Sequence, residues 1–140
     1  MSLRMPGETK QIVLIWEEGL RFHGGERGGP AIVIDGDNAA GPGPMLTLLL
    51  AAAACSGSDV VSILEKMRLK PSAFRIEAAG VRRESEPRRY QSIHLTYHVS
   101  GSGLEETKVR RAIDLSLQKY CSVVHSLAPD IAITYALSLA

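Results

Sequence analysis

The sequence predicts an α+β fold in which antiparallel strands surround two central helices, in the order β-β-β-α-β-β-α-β. Two long stretches, 44–68 and about 105–127, carry apolar residues at helical spacing. Short apolar or alternating segments, bounded by glycine, proline and charged turns, lie before, between and after them. Because strands and helices come in groups and do not alternate one by one, a repeated βαβ arrangement is not expected.

The length of 140 residues suits one domain spanning residues 1–140, or one subunit of a small oligomer. The composition, 45% hydrophobic and 22% charged, is that of an ordinary globular protein. A formal charge of +1 gives no electrostatic reason to expect nucleic acid or a membrane surface as a partner. The arginines within 82–89 are interleaved with glutamates, which favours a solvated turn over a binding patch.

Residues 1–9 are predicted to be a flexible N-terminus, and Met1–Leu3 is typical of vector-derived residues. This N-terminus lacks the charged and then apolar pattern of a signal peptide. The apolar run 45–54 is too short to cross a bilayer. With only two cysteines in such a chain, a cytoplasmic location is predicted.

Three short strands are predicted before the first helix, at 11–16, 20–23 and 31–35. A tight turn at 17–19 and a glycine-rich loop at 24–30 would join them into an antiparallel meander. The next loop, 36–44, is rich in turn residues but has neither the Gly-Lys-Ser/Thr of a phosphate-binding loop nor a G-x-G-x-x-G pattern. It is therefore interpreted as a connector.

The first helix contains Cys55 near its middle. Pro44 suits its first turn, and apolar residues surround the whole helix up to Cys55. Such a helix is normally covered on most sides, by its own fold or by a partner subunit. The following segment Ser56–Asp59 predicts a kink or a restart. Asp59 is expected to cap the restart or to pair with a basic residue across a dimer, and Ser56 and Ser58 are expected to cap or bond the backbone locally.

Strands are predicted at 73–81, at 91–100 and, after the second helix, at 131–139. In the middle one, alternation directs Ile93, Leu95, Tyr97 and Val99 towards a core. The second helix is expected to bend near 119–121, with Tyr120 in the core.

Cys55 and Cys121 lie far apart in sequence, each on a core-facing helix. They form neither a C-x-x-C redox motif nor a zinc pattern. His94 and His98 share a strand face, but no third ligand lies nearby, so no metal site is predicted. The residues alone leave two interpretations open, inert thiols packed in a core and a reactive pair.

A family resemblance favours the reactive pair. Its motifs are Trp16–Leu20, Asp35-Gly36, Pro44-Met45, the Leu/Ala-rich approach to Cys55, Asp59–Leu64 and Lys119–Val123. Together, in this order and spacing, they resemble the OsmC/Ohr family, and within it the YhfA-type OsmC-like branch. The resemblance implies an intertwined homodimer with helices at its centre.

The resemblance also implies a thiol-dependent peroxidase that reduces organic hydroperoxides or hydrogen peroxide. Cys55 would be the peroxidatic cysteine and would become a sulfenic acid. Cys121 would resolve it as a disulfide, which an external dithiol reduces. This chemistry requires no metal and no organic cofactor.

One departure concerns the start of the Cys55 helix. Family peroxidases have a glutamate there, paired with an arginine that stabilises the thiolate, whereas this chain has Leu46 followed by Thr47. Arg21 is the candidate for the arginine, with Arg27 second. An alternative function is therefore an OsmC-fold dimer with weak or lost peroxidase activity that binds a small apolar ligand or acts as a stress-linked accessory protein. A purely structural dimer with inert cysteines is ranked last.

Overall fold

The structure, a computed structural model, describes residues 7–140. Most of the predicted flexible N-terminus, residues 1–6, lies outside this part. The chain divides between Thr47 and Leu48 into two compact units, which are described one at a time. The elements are β1 (Val13–Glu18), β2 (Arg21–Gly25), β3 (Ala31–Asp35), α1 (Pro44–Lys66), β4 (Ala73–Arg82), β5 (Tyr90–Ser100), α2 (Glu106–Leu115), a π-helix (Ser116–Tyr120), α3 (Ser122–Ser126) and β6 (Ala132–Leu139).

The first unit contains the predicted meander, with β1, β2 and β3 pairing antiparallel in that order. The first turn differs from the prediction. It lies at Gly19-Leu20, so that both glutamates before it belong to β1. Gly19 has a φ of +53°, a backbone conformation that glycine adopts at little cost.

The loop that follows β3 is organised by the buried carboxylate of Asp35. Its two oxygens accept the backbone N–H groups of Asp37 and Ala40, each over 2.9 Å. These bonds to the Ala40 and Asp37 amides hold the pKa of Asp35 below its usual value. The connector interpretation of this loop agrees with these contacts, since the chain's own carboxylate occupies the amides.

The second unit contains a sheet in the order β4-β5-β6. β4 and β5 pair antiparallel, as expected, but β5 and β6 pair parallel, with Ile93 beside Ile133 and Val99 beside Leu139. The prediction of antiparallel strands is therefore wrong for this pair. The reason is the helical segment between β5 and β6, because a crossover of this length lets the chain re-enter the sheet in the same direction.

The core of the second unit lies between this sheet and the helices. The four predicted inward residues of β5 are each at most 1% exposed. One stripe of α1 is buried as well, at Leu49, Ala52, Ser56, Val60 and Leu64. The spacing of three and four residues keeps this stripe on one helix face.

The predicted kink or restart after Cys55 is wrong, since α1 runs without interruption from Pro44 to Lys66. The hydroxyl of Ser58 donates to the carbonyl of Ala54 over 2.7 Å, as expected of a serine inside a helix. At Gly57 a Cβ would lie 3.2 Å from Ile76 Cδ1, so the missing side chain permits close packing of α1 on β4. Tertiary packing therefore overrides the low helix propensity of this segment.

The predicted second helix is divided into α2, the π-helix and α3. Cys121 leaves the helical conformation, with φ −70° and ψ 99°. The bend near 119–121 is confirmed, whereas the core position of Tyr120 is wrong, because its side chain is 50% exposed. The extra residue of the π turn shifts the helical register, so that Cys121 is buried and its neighbour is not.

The apolar stretch of α1 is longer than the run 45–54 on which the sequence prediction was based. Within the described residues, this one helix is long and apolar enough to cross a membrane, with a mean hydropathy of 1.7. Length and composition are the only basis for this, and interior helices of soluble proteins meet the same criterion. Leu50 and Val61 on α1 are 57% and 44% exposed, so part of its apolar surface is uncovered in the single chain.

Candidate active site

The second unit brings the two cysteines together. Cys55 is half-buried in the middle of α1, and Cys121 is fully buried where the π-helix ends. Their sulfur atoms and a carboxylate oxygen of Asp59 all lie within 4.8 Å of one another. Both thiols are free. The fold therefore forms a compact group of two thiols and one carboxylate.

Two local features place these side chains. Cys55 and Asp59 are four residues apart on α1 and so lie on one face of the helix. The π-helix brings in the second sulfur, because the N–H of Cys121 donates to the carbonyl of Ser116 over 2.7 Å, closing a turn of five residues. Single π turns are frequent at functional sites. Here the turn directs both Ser116 and Cys121 towards α1.

The environment favours the protonated form of Cys121. Burial raises the pKa of this thiol to about 11, and the hydrogen bond with Cys55 acts in the same direction. The N–H of Val124 opposes this shift without cancelling it. Cys121 is therefore a thiol at neutral pH and can donate its proton in the hydrogen bond to Cys55.

A chain of buried hydroxyl groups ends at the carboxylate. The Oγ of Ser116 donates to Oδ2 of Asp59 over 3.0 Å and lies 2.8 Å from the Oγ of Ser56, which in turn lies 2.6 Å from the hydroxyl of Tyr97. Burial raises the pKa of Tyr97 to about 12, so this phenol keeps its proton.

The directions of these bonds follow from counting protons. Each hydroxyl has one proton to donate. Since Ser116 gives its proton to Asp59, Ser56 must donate to Ser116, and Tyr97 must donate to Ser56. Every donor in the chain therefore points towards the carboxylate, which fixes its orientation beside the thiols.

The sequence indicated only part of this network. Asp59 was expected to be a cap at a helix restart or the partner of a basic residue across the dimer. The cap is wrong, because α1 has no second start there, and within the chain Ser116 donates to this carboxylate. The basic partner across the dimer stays a prediction. Ser56 was expected to bond the backbone, yet it joins the side chains of Tyr97 and Ser116. The alternation of β5 pointed Tyr97 inwards, but nothing in the sequence indicated a partner for its hydroxyl.

The first unit contains the arginine candidates. Arg21 pairs with Glu17 at 2.7 Å and with Glu18 at 3.0 Å. Glu17 also lies 2.7 Å from Nδ1 of His23, and the bonds to His23 and Arg21 lower its pKa. The assignment of Arg21, or of Arg27, as the partner of Cys55 stays a prediction.

The two thiols and Asp59 provide three potential metal-binding atoms. A closed structural zinc site uses four protein ligands. We therefore assign no metal to this group.

An open groove of about 630 Å³ runs between α1 and β4. Leu50, Ala54, Gly57 and Val61 line it on the helix, and Phe74 and Ile76 line it on the strand. Its walls are mainly apolar. We call it the α1 groove.

Comparison with known proteins identifies similar chains. The family model described as OsmC-like protein matches residues 35–136. Protein YhfA of Escherichia coli (strain K12) is 41% identical over 122 residues, covering 86% of this chain and 91% of that protein. The crystal structure of a hypothetical protein from Aquifex aeolicus VF5 is 31% identical with a TM-score of 0.82, covering 96% of this chain and 99% of that one.

A more distant structure shares the fold alone. The organic hydroperoxide resistance protein OsmC from Legionella pneumophila, described as a predicted redox protein, is 11% identical with a TM-score of 0.69. The match covers 94% of this chain and 99% of that one.

Proposed function

Because this chain belongs to the OsmC-like protein family, we propose that it is a cytoplasmic thiol-dependent peroxidase that reduces organic hydroperoxides or hydrogen peroxide. The observation that carries the proposal is the approach of the Cys55 and Cys121 sulfur atoms to within 4.8 Å. Two free thiols at this distance can be joined by a small movement of either side chain. The interpretation of both cysteines as inert core residues does not explain why the two thiols lie beside a carboxylate.

The difference in burial supports the proposed roles of the two cysteines. Cys55 is half-buried and Cys121 is fully buried, so peroxide reaches Cys55 first. The Cys55 thiolate attacks the terminal peroxide oxygen, an S–O bond forms and the O–O bond breaks. The alkoxide leaves as an alcohol after taking a proton, or as water when hydrogen peroxide is the substrate. Cys55 is then a sulfenic acid.

The second step joins the two sulfurs. The sulfur of Cys121 attacks the sulfenic acid, an S–S bond forms, and hydroxide leaves as water. Two thiol groups of an external dithiol then reduce the disulfide and restore both cysteines. No metal or organic cofactor takes part in these steps.

We also propose that the protein is a homodimer. Exposed large apolar side chains lie on both units, among them Trp16, Ile32, Leu50 and Val61. Apolar surface of this extent is typical of an interaction site. A second copy of the chain would cover the α1 groove and the exposed face of the helix.

The test of the proposed activity is a single turnover. Reduced protein receives one equivalent of cumene hydroperoxide, and cysteine peptides are mapped by mass spectrometry. We expect a Cys55–Cys121 disulfide in the native protein and a sulfenic acid at Cys55, trapped by dimedone, in the Cys121→Ser variant. Loss of one peroxide per disulfide formed completes the balance. Unchanged peroxide consumption by the Cys55→Ser variant would contradict the assignment.

The alternative is that this dimer has weak or lost peroxidase activity and binds a small apolar ligand or acts as a stress-linked accessory protein. The apolar α1 groove and the leucine at position 46 favour it. Thiols that stay reduced under excess hydroperoxide, together with an apolar molecule extracted from the purified protein, would support this alternative.

A further inference from the structure

The carboxylate of Asp59 has no part in the reaction as described so far, although it lies within 4.8 Å of both sulfur atoms. Its position is fixed by the hydrogen bond from Ser116 and, behind it, by Ser56 and Tyr97. This buried chain of three hydroxyl groups holds the carboxylate in one orientation, because turning it away would leave the Ser116 hydroxyl without its acceptor.

The step that lacks a proton acceptor is the attack by Cys121. The nucleophile in disulfide formation is the thiolate, but Cys121 is buried and its pKa is raised to about 11. Its proton must therefore leave as the S–S bond forms. A general base acts within hydrogen-bond distance or through one water molecule, and 4.8 Å is within that range.

We propose that Asp59 is the proton-transfer group for the resolving step and accepts the Cys121 thiol proton as this sulfur attacks Cys55. The S–S bond forms while the S–O bond of the sulfenic acid breaks. Asp59 then gives the proton to the departing hydroxide, which leaves as water. The Cys121 sulfur is oxidised, the Cys55 sulfur is reduced, and the carboxylate returns to its starting state.

Among the described residues of the second unit, titratable groups from three elements interact with Asp59. These are Cys55 on its own helix, Cys121 where the π-helix ends, and Tyr97 on β5. Tyr97 keeps its proton up to a pH of about 12 and does not compete as a base. The carboxylate is thus the proton acceptor that the fold presents to Cys121.

This inference rests on the proposed pairing of the two cysteines, but it can be tested without peroxide. The aromatic disulfide DTNB labels the more exposed Cys55 and releases one coloured thiolate. Attack of Cys121 on this mixed disulfide releases a second one and forms the Cys55–Cys121 disulfide. The rate of the second release therefore measures the proton-dependent attack alone. In the Cys121→Ser variant the reaction with DTNB should stop after the first thiolate is released. This control verifies that Cys55 is labelled first and that Cys121 attacks second.

The main variant is Asp59→Asn, which keeps the shape and an acceptor for Ser116 but removes the base. General base catalysis contributes about 100-fold or more, so we expect the second release to slow by at least tenfold. In this variant the rate should rise steeply with pH, since hydroxide must then remove the proton. Asp59→Glu, which restores a carboxylate, should recover part of the rate. Glu65→Gln removes an exposed carboxylate from the same helix and should match the native protein.

Every variant is first compared with the native protein by urea unfolding. Should Asp59→Asn fail to fold, the Ser116→Ala variant is used in its place. This variant keeps the Asp59 carboxylate but removes the hydrogen bond that holds the carboxylate in position. Because Ser116→Ala removes one hydrogen bond to the carboxylate, we expect it to slow the second release by about fivefold.

Three results would overturn the role of Asp59. One is a native rate in Asp59→Asn. A second is equal slowing in Asp59→Asn and Asp59→Glu with no recovery at high pH, which would mark a purely structural role. A third is a native protein that releases no second thiolate. A native protein that pairs its cysteines through DTNB but does not react with hydroperoxide would instead contradict the peroxidase activity and leave the role of Asp59 intact.

Discussion

The hydroxyl of Ser116, at the start of the π-helix, donates to the carboxylate of Asp59 on α1 over 3.0 Å. This bond joins two helical segments that carry one cysteine each, Cys55 before Asp59 and Cys121 after Ser116. It therefore holds the thiol pair and the carboxylate in one fixed arrangement. The hydrogen-bond chain behind it extends to Tyr97 in the middle of the sheet.

The first prediction concerns the far end of this chain. Tyr97→Phe removes the hydroxyl and keeps the ring, which packs edge-on against Tyr135 at 5.9 Å. Because Ser56 loses its donor, we expect the free energy of unfolding to fall by about 1 kcal/mol. Urea denaturation measures this. Tyr120→Phe is the matched control, since Tyr120 is 50% exposed, and it should change stability by no more than about 0.5 kcal/mol. Equal losses in the two variants would argue against the buried chain.

The second prediction concerns alkaline stability. The folded state raises the pKa of Cys121 from 9.0 to about 11 and that of Tyr97 from 10.0 to about 12. Above the lower value of each pair the unfolded chain loses a proton that the native state retains. Stability is therefore complete below pH 9 and falls as the pH rises through 11 and 12, by at most about 1.4 kcal/mol per pH unit for each group.

Two variants separate these contributions. Cys121→Ala should remove the part of the decline that begins near pH 9, and Tyr97→Phe the part that begins near pH 10. Urea unfolding at a series of pH values from 7 upwards, with a reductant present, provides the measurement. A native protein whose stability does not decline above pH 9 would contradict the burial of both groups.

The third prediction concerns the proposed dimer. Leu50 is 57% exposed on the wall of the α1 groove. A lysine there would place a charge where a second copy is expected to cover the helix, and burying an unpaired charge is costly. We expect the native protein to have twice the chain mass of 15.1 kDa in light scattering and Leu50→Lys to shift towards the single chain.

Glu65→Lys provides the control for this experiment. It introduces the same side chain at an exposed polar position on α1, outside the α1 groove. It should keep the mass of the native protein. A monomeric native protein, or a dimer unaffected by Leu50→Lys, would rule out this face as the interface.

The fourth prediction concerns the arginine. If Arg21 stabilises the Cys55 thiolate, Arg21→Ala should slow sulfenic acid formation by roughly tenfold or more, because a cation beside a cysteine favours its reactive form. Stopped-flow mixing with hydroperoxide and dimedone trapping measures this first step. The DTNB-induced attack of Cys121 should keep its native rate.

Lys10→Ala is the charge-matched control for Arg21→Ala. It removes an exposed cation from the same unit, where Lys10 pairs with Glu8 at 3.1 Å. Equal effects of the two substitutions would indicate a general effect of charge. Arg27 would then be the next candidate for the arginine that stabilises the Cys55 thiolate.

Much of the fold was predictable from the sequence. The alternation of β5 correctly placed Ile93, Leu95, Tyr97 and Val99 in the core, and the β1-β2-β3 meander followed from its turn residues. Both patterns are local, since side-chain direction in a strand changes with every residue. The same local reasoning failed at Ser56–Asp59, where contacts with the sheet and with Ser116 stabilise a helix that propensity alone would interrupt.

By itself the sequence determined the order of the elements, the family to which the chain belongs, and the two cysteines as the candidate reactive groups. Only the tertiary structure decided that these cysteines meet, that Cys121 is fully buried with a raised pKa, and that Asp59 lies beside both. The physical reason is that a π turn shifts the register of one helix, and neither the turn nor the hydroxyl chain leaves a periodic pattern in the sequence. Contacts between residues distant along the chain exist only once the core has formed.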